Sequence, residues 1–141
     1  MSIRLLAAAC FLIGAAPAIA QSTLPVPSGF YPIEGTEQPF YIKKDSIREN
    51  VMDREATTVA LVMTFVSDAQ GNRGYAVGNY IAWCGSKRLY NSGTNYFTAE
   101  QQLAGSSDKS AGGAIFPGTD NAIIHARLCS EWDETELSQL P

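Results

Sequence analysis

Histidine and cysteine are the side chains that most often act as catalysts or metal ligands, and this sequence contains few of them. Its 141 residues include one histidine, His125, and three cysteines, Cys10, Cys84 and Cys129. A metal site needs three or four suitable ligands, so this set predicts no metal site. A catalytic site of the Ser-His-Asp or Cys-His type would have to use His125, because the chain has no other imidazole.

Three interpretations of His125 stay open from the sequence. The residue lies between Ile124 and Ala126 in a segment with helical spacing, and it is a histidine at or near the surface, an axial haem ligand or a catalytic base. The first interpretation is favoured, since no G-x-S-x-G, H-E-x-x-H, P-loop or G-x-G-x-x-G motif accompanies it. Asp53 and Glu55 form a carboxylate pair of the type used in glycoside hydrolysis, but they lie in a polar connector. We therefore predict no catalytic residues and no enzyme.

The first twenty residues decide how the cysteines are interpreted. One positive charge, Arg4, precedes the apolar run LLAAACFLIGAAPAIA, which ends in the A-x-A cleavage pattern of secretory signals. This pattern predicts a signal peptide over residues 1–20 and a mature chain exported to the periplasm, the cell surface or the medium. We expect no membrane span after cleavage, and no lipid anchor, because Gln21 follows the cleavage site where a lipoprotein has a cysteine.

Cleavage leaves two cysteines in the mature chain, Cys84 and Cys129, and an even number in an exported protein indicates a disulfide. With two cysteines there is only one pairing. Closing a ring of this size stabilises the chain by ~4 kcal/mol through the entropy of the unfolded state. That is a large share of the ~5–15 kcal/mol by which a typical domain is stable. We therefore predict a structural Cys84–Cys129 bond.

Length and charge indicate a small protein with one domain. After the signal peptide, a flexible Pro/Ser-rich leader over residues 21–28 and an acidic tail over residues 131–141 flank one predicted domain over residues 29–130. The formal net charge is −4 at pH 7. Nucleic-acid binding needs a concentrated basic surface, so this charge argues against a nucleic-acid partner.

The elements that must position these residues are mostly strands. Thr57–Val66 is β-branched and almost wholly apolar, which predicts a central strand covered on both faces. Tyr75–Cys84 and Lys87–Phe97 predict an antiparallel hairpin around a two-residue turn with glycine first, Gly85-Ser86.

Alternation along the Tyr75–Cys84 strand gives it two unequal faces. One face carries large apolar side chains: Tyr75, Val77, Ile81 and Trp83. The other face is mostly small: Ala76, Gly78, Tyr80, Ala82 and Cys84. A face of small residues lets another element pack closely. We expect that element to be GTDNAIIHARLC, which carries Cys129; its spacing favours a helix, with a strand of the same length as the alternative.

The hairpin also carries a candidate binding patch. Pairing across the turn places Trp83 opposite Arg88 and Tyr75 opposite Tyr96. Tyrosine and tryptophan favour interfaces, and Arg88 over Trp83 is a candidate cation–π pair. The predicted patch is Tyr75, Trp83, Arg88, Tyr90 and Tyr96, with burial in the core of the sheet as the alternative for its aromatic members.

Two connectors are assigned from local pattern. Ser46-x-x-Glu49 fits a capping box, in which the hydroxyl and the carboxylate satisfy free amides at the start of a short helical turn. Residues 99–113, AEQQLAGSSDKSAGG, are rich in Gly and Ser and are predicted to be a mobile loop.

Four segments in order resemble the bacterial surface-adhesin protein E family: FYIKKDSIRE, VALVMTFV, GYAVGNYIAWCGSKRLYNSGTNYF and IFPGTDNAIIHARLC. They share a Tyr-x-x-x-Asp-Ser-Ile turn after a strand, a mid-chain cysteine that ends a strand, and a Pro-Gly-Thr step into a helix ending in cysteine. The resemblance runs from Phe30 to Cys129. It implies an α+β domain, a curved antiparallel sheet of about five to six strands with one C-terminal helix packed on a face and joined by the disulfide.

The resemblance also implies a class of function. A named member of the family is a surface lipoprotein that dimerises and binds host matrix proteins, plasminogen and haem. We therefore expect an exported, non-catalytic binding module of the bacterial envelope, with a protein partner and a homodimer as further expectations. The alternative is a periplasmic protein that binds haem or another small ligand, with His125 as the haem ligand; otherwise no cofactor is expected.

Overall fold

The computed structural model describes residues 24–130. The predicted signal peptide, the first residues of the leader and the acidic C-terminal tail lie outside the described residues. In chain order the elements are β1 (Phe30–Ile33), β2 (Phe40–Lys43), a 3-10 turn (Lys44–Ser46), β3 (Arg48–Met52), β4 (Glu55–Ser67), β5 (Arg73–Trp83), β6 (Arg88–Thr98), β7 (Leu103–Ser107), β8 (Ala111–Ala114) and α1 (Asp120–Leu128). Within this part of the chain, no helix has the length and apolar character needed to cross a membrane.

The strands form one antiparallel sheet whose main path has the order β1-β2-β4-β5-β6-β7. Two strands lie off this path: β3 pairs with the first half of β4, and β8 pairs with the first half of β6. β4 is the longest strand, with 13 residues, and it receives β2 and β3 one after the other along the same edge. The predicted fold, a single α+β domain with an antiparallel sheet and one C-terminal helix, is confirmed.

The helix α1 packs on one face of the sheet, which we call the helix face. The buried core there consists of Ile33, Ile42, Ala60, Val62, Ala82, Leu89, Ile124 and Leu128. Ala82, one of the small residues predicted to admit a close neighbour, is 0% exposed and lies in this core beneath the helix, as does Ala60 of β4, which is 1% exposed. Thr119 caps the helix by accepting a hydrogen bond from the backbone N–H of Ala122 at 3.3 Å. The segment before Cys129 is therefore a helix, and the strand alternative is wrong.

The opposite side, which we call the aromatic face, carries the large side chains of the alternating pattern. Its rings include Tyr41, Phe65, Tyr75, Trp83 and Tyr90. Phe65 lies between Tyr41 and Tyr75, with ring centroids 5.7 Å and 5.8 Å away. The hydroxyl of Tyr75 donates a hydrogen bond to the carbonyl oxygen of Pro25 at 2.8 Å. The leader therefore contacts this face at the Tyr75 end.

The register of the β5–β6 hairpin is partly as predicted. Trp83 lies opposite Arg88, but Tyr75 lies opposite Phe97, so its predicted pairing with Tyr96 is wrong. The cause is a shift of one residue near the middle of the ladder, between Gly78 and Tyr80. Because side chains alternate, the shift turns Tyr96 to the helix side of the sheet and Phe97 to the aromatic face.

Side chains around this bulge hold its extra residue in place. Ser92 and Gly93 together occupy the space opposite Asn79, and the amide of Asn79 donates to the hydroxyl of Ser92 at 2.8 Å. Asn91 accepts from the backbone N–H of Gly93 at 3.1 Å and donates to the hydroxyl of Thr94 at 2.8 Å. The bond from Gly93 satisfies a backbone N–H that the interrupted ladder would leave free.

The Gly/Ser-rich segment predicted to be a mobile loop forms two edge strands instead, β7 and β8. Gly112 has a φ of 143°, and a Cβ atom there would lie 2.2 Å from the carbonyl oxygen of Leu89. Gly112 therefore allows the backbone of β8 to approach β6 closely, and composition alone does not distinguish this role from loop flexibility.

The predicted capping box at Ser46 is also wrong. Ser46 ends the 3-10 turn, where its hydroxyl donates to the carbonyl oxygen of Lys43 at 2.6 Å. The hydroxyl oxygen of Ser46 also accepts a hydrogen bond from the backbone N–H of Leu61 at 2.8 Å. Ser46 therefore joins the turn to β4 rather than starting a helix.

Candidate functional site

The predicted disulfide is confirmed. Cys84 directly follows β5 and Cys129 caps the C-terminal end of α1, 45 residues later in the chain. The bond fixes the last turn of the helix to the turn of the hairpin. Both thiols are consumed by it, so the bond holds elements together rather than supplying a nucleophile.

His125 is buried, with 6% of its surface exposed, so it lies deeper than the position at or near the surface that the sequence favoured. Its Nε2 lies 2.9 Å from the carbonyl oxygen of Trp83 and 3.6 Å from Sγ of Cys129. A carbonyl oxygen only accepts, so Nε2 carries the proton and donates it to this bond. Among residues 24–130, no group of three or more His, Cys, Asp and Glu side chains is arranged to hold a metal ion.

Three members of the predicted patch meet at one end of the aromatic face, and we call them the Trp83 cluster: Trp83, Arg88 and Tyr90. The guanidinium carbon of Arg88 lies 5.3 Å from the centre of the Trp83 ring, which is a cation–π arrangement. Tyr90 meets the same ring edge-on, with centroids 5.3 Å apart and planes at 77°. The side chain of Arg88 is 40% exposed, so the cluster reaches solvent.

The turn of the hairpin supports this cluster. The Arg88 Nε donates to the hydroxyl of Ser86 at 2.9 Å, and one of its terminal nitrogens lies 4.0 Å from Glu55. The backbone N–H of Ser86 also donates a hydrogen bond to the carboxylate of Glu55. This bond, with a smaller contribution from the charge of Arg88, lowers the pKa of Glu55. The residue of this turn with a left-handed backbone is Lys87, with a φ of 51°. The predicted turn had Gly85 in its first position, but Gly85 does not have a positive φ. Glu55, which the sequence placed in a polar connector, is the first residue of β4 and accepts the hydrogen bond from the turn.

Two buried polar atoms beside the cluster have no hydrogen-bond partner within the described residues. They are the indole Nε1 of Trp83 and the hydroxyl oxygen of Thr57, which lies directly opposite Trp83 on β4. Buried polar groups are normally paired, and natural proteins break such local rules mainly at functional sites. The Trp83 end of the aromatic face is therefore the candidate site.

The other two residues of the predicted patch lie elsewhere. Tyr75 is 1% exposed at the far end of β5, where its hydroxyl is bonded to the leader. Tyr96 is 41% exposed, but the bulge places it on the opposite side of the sheet. The five predicted residues therefore do not form one surface.

A cleft at the Tyr75 end of the aromatic face was not identified from the sequence. We call it the leader cleft, and its volume is about 230 Å³. Its lining consists of Pro27, Phe30, Lys43, Leu61, Met63, Tyr75, Val77, Asn95, Phe97 and Gln101. It depends on the leader contacting the sheet and on the bulge turning Phe97 to this side. Neither leaves a periodic signal in the sequence.

Comparisons with known proteins bear on the fold. No protein-family model matches the sequence, and no curated protein matches it. Among solved structures, the chain is similar to that of protein E from Haemophilus influenzae, with 15% sequence identity and a TM-score of 0.49. The similarity covers 79% of this chain and 94% of that chain. The resemblance to protein E is thus confirmed as a likeness of structure, and it carries no information on what this chain binds.

Proposed function

We propose that this chain is an exported, non-catalytic binding module of the bacterial envelope, and that it holds a protein partner at the Trp83 cluster. The observation that carries the proposal is the stacking of Arg88 on Trp83, with Tyr90 against the same ring. Trp, Tyr and Arg are the residue types most enriched at the energetic centres of protein interfaces. Here all three meet in one partly exposed group.

The cluster is held in place before any partner arrives. The contacts of Arg88 with Ser86, Glu55 and the Trp83 ring fix a side chain that would otherwise sample many rotamers. Immobilising such a side chain on binding costs about 0.5–1.5 kcal/mol, and a pre-ordered arginine avoids much of that cost. The nearby disulfide further restricts the hairpin turn that carries these contacts.

Export is supported by the disulfide and by the predicted signal peptide. Disulfides form and persist in the periplasm and outside the cell, and they are rare in the reducing cytoplasm.

The direct test is cross-linking in native cells with a photoreactive amino acid at position 90. We expect a discrete adduct from this position and none from position 103, although Leu103 is a more accessible apolar residue, 64% exposed, because it lies at the far end of the sheet. Arg88→Ala should reduce the adduct at least tenfold, since losing a central interface residue costs about 2 kcal/mol or more. Equal adducts from both positions, or no effect of Arg88→Ala, would contradict the proposal.

Fractionation of the same cells tests export. We expect the cross-linked protein outside the cytoplasm, with its disulfide formed. Protease added to intact cells then separates the two exported locations, because a surface protein is degraded while a periplasmic control survives. Recovery of the protein in the cytoplasm with two free thiols would contradict export.

A further inference from the structure

We propose that the leader cleft is a second site, which binds a small carboxylate with a short aliphatic or aryl tail. The site is separate from the Trp83 cluster, which lies at the other end of β5. The inference therefore does not depend on the proposed protein partner.

The size of the cleft sets the size of the ligand. A water molecule takes about 30 Å³ of liquid volume, so about 230 Å³ holds roughly eight waters or a ligand of about eight to ten non-hydrogen atoms. The walls are mostly apolar, and two of them, Met63 and Tyr75, are 0% and 1% exposed. This is the composition of a small-molecule site, in which apolar walls take the tail and a few polar groups fix its orientation.

The polar groups of the cleft select an anion. They are Lys43, Asn95 and Gln101, each of which has an N–H donor, and no acidic residue lines the cleft. Within the described residues, the ammonium group of Lys43 has no ion pair or hydrogen bond. The amide oxygen of Asn95 already accepts from Ser106 at 2.8 Å, which leaves its NH₂ group as the donor. A carboxylate at this rim would gain charge-assisted hydrogen bonds.

The cleft is formed before a ligand binds. The bond from Tyr75 to Pro25 ties the leader to the sheet, and Pro27 supplies one wall. The bulge turns Phe97 into the cleft and Tyr96 away from it. A preformed apolar site needs little ordering on binding, so more of the contact energy appears as affinity.

The test is an NMR titration of the isotope-labelled, full-length exported protein with sodium octanoate, which has ten non-hydrogen atoms. We expect saturable shifts at Val77 and Phe97, in the cleft, and none at Trp83. Octan-1-ol has the same tail without the charge and should bind at least tenfold more weakly. Acetate has the charge without the tail and should show no saturation.

Matched lysine variants test the charge. Lys43→Gln should weaken octanoate binding at least tenfold, whereas Lys109→Gln, at an exposed position between β7 and β8 that does not line the cleft, should leave it unchanged within twofold. Both substitutions are at partly or fully exposed positions, and circular dichroism checks that both variants are folded. No saturable shift, equal binding of octanol, or an unchanged affinity in Lys43→Gln would each overturn the assignment. Tighter binding of a peptide through its C-terminal carboxylate would overturn the assignment to a small ligand.

Discussion

At the scale of single residues, Ser46 shows how a side chain can bond a backbone group that lies between two strand pairings. β2 leaves the edge of β4 at Val62 and β3 joins it at Val59, so the backbone N–H of Leu61 lies between two pairings. The hydroxyl of Ser46 accepts from that N–H and donates to the carbonyl oxygen of Lys43. One side chain therefore lets two short strands share one edge of a long strand.

We expect Ser46→Ala to lower the free energy of unfolding by about 1–3 kcal/mol, because it leaves the Leu61 N–H in a partly buried position without a partner. Urea denaturation measures the change. Ser106→Ala is the matched control: it removes an exposed hydroxyl that contacts Asn95, and it should change stability by no more than about 0.5 kcal/mol. Equal changes in the free energy of unfolding for the two substitutions would mean that the bonds of Ser46 stabilise the fold no more than an exposed hydroxyl does.

At the scale of elements, Gly112 shows that a glycine can be needed for close contact between two strands. β8 contains two glycines with positive φ, Gly112 and Gly113, yet it is a strand paired with β6. The backbone of Gly112 lies so near the carbonyl oxygen of Leu89 that no side chain fits between them. Close approach therefore explains this glycine better than flexibility does.

Gly112→Ala tests this interpretation. We expect the substitution to lower the free energy of unfolding by about 1–3 kcal/mol through backbone strain and the clash with Leu89, and to speed amide exchange in β8. Gly105→Ala, in β7, is the control: nothing lies within 4 Å of its added Cβ, so stability should be unchanged or slightly higher. If residues 99–113 were a mobile loop, neither substitution would matter.

The elements that could be predicted are those with a regular pattern. β4, β5, β6 and α1 follow from β-branched runs, alternation and helical spacing, and the small face of β5 correctly located the partner of Cys84. The bulge could not be predicted, because its stability comes from bonds between Asn79, Asn91 and neighbouring side chains on two strands. It divided the predicted patch, since one inserted residue reverses every later side chain.

At the scale of the whole molecule, two long-range ties hold the layers together. The disulfide joins α1 to the hairpin on the helix face, and the bond from Tyr75 joins the leader to the aromatic face. The two ties lie at opposite ends of β5. The candidate binding sites lie beside these two ties.

Removing the disulfide should weaken the whole domain. We expect the double substitution Cys84→Ala and Cys129→Ala to lower the free energy of unfolding by about 2–5 kcal/mol, because a loop of 45 residues is no longer closed in the unfolded chain. Urea denaturation with and without a reducing agent measures this. The reductant should destabilise the natural protein by a similar amount and leave the double variant unchanged. A natural protein that is equally stable when reduced would contradict a stabilising role.

The position of α1 at the end of the described chain also bears on the order in which the elements fold. The helix rests on β1, β4 and β6, which come together only when the sheet has formed, so it has no surface to dock on before then. A chain that emerges N-terminus first presents Cys84 on a finished hairpin while the residues that carry Cys129 are still arriving. We therefore expect the sheet to form first, the helix to dock second and the bond between Cys84 and Cys129 to close last.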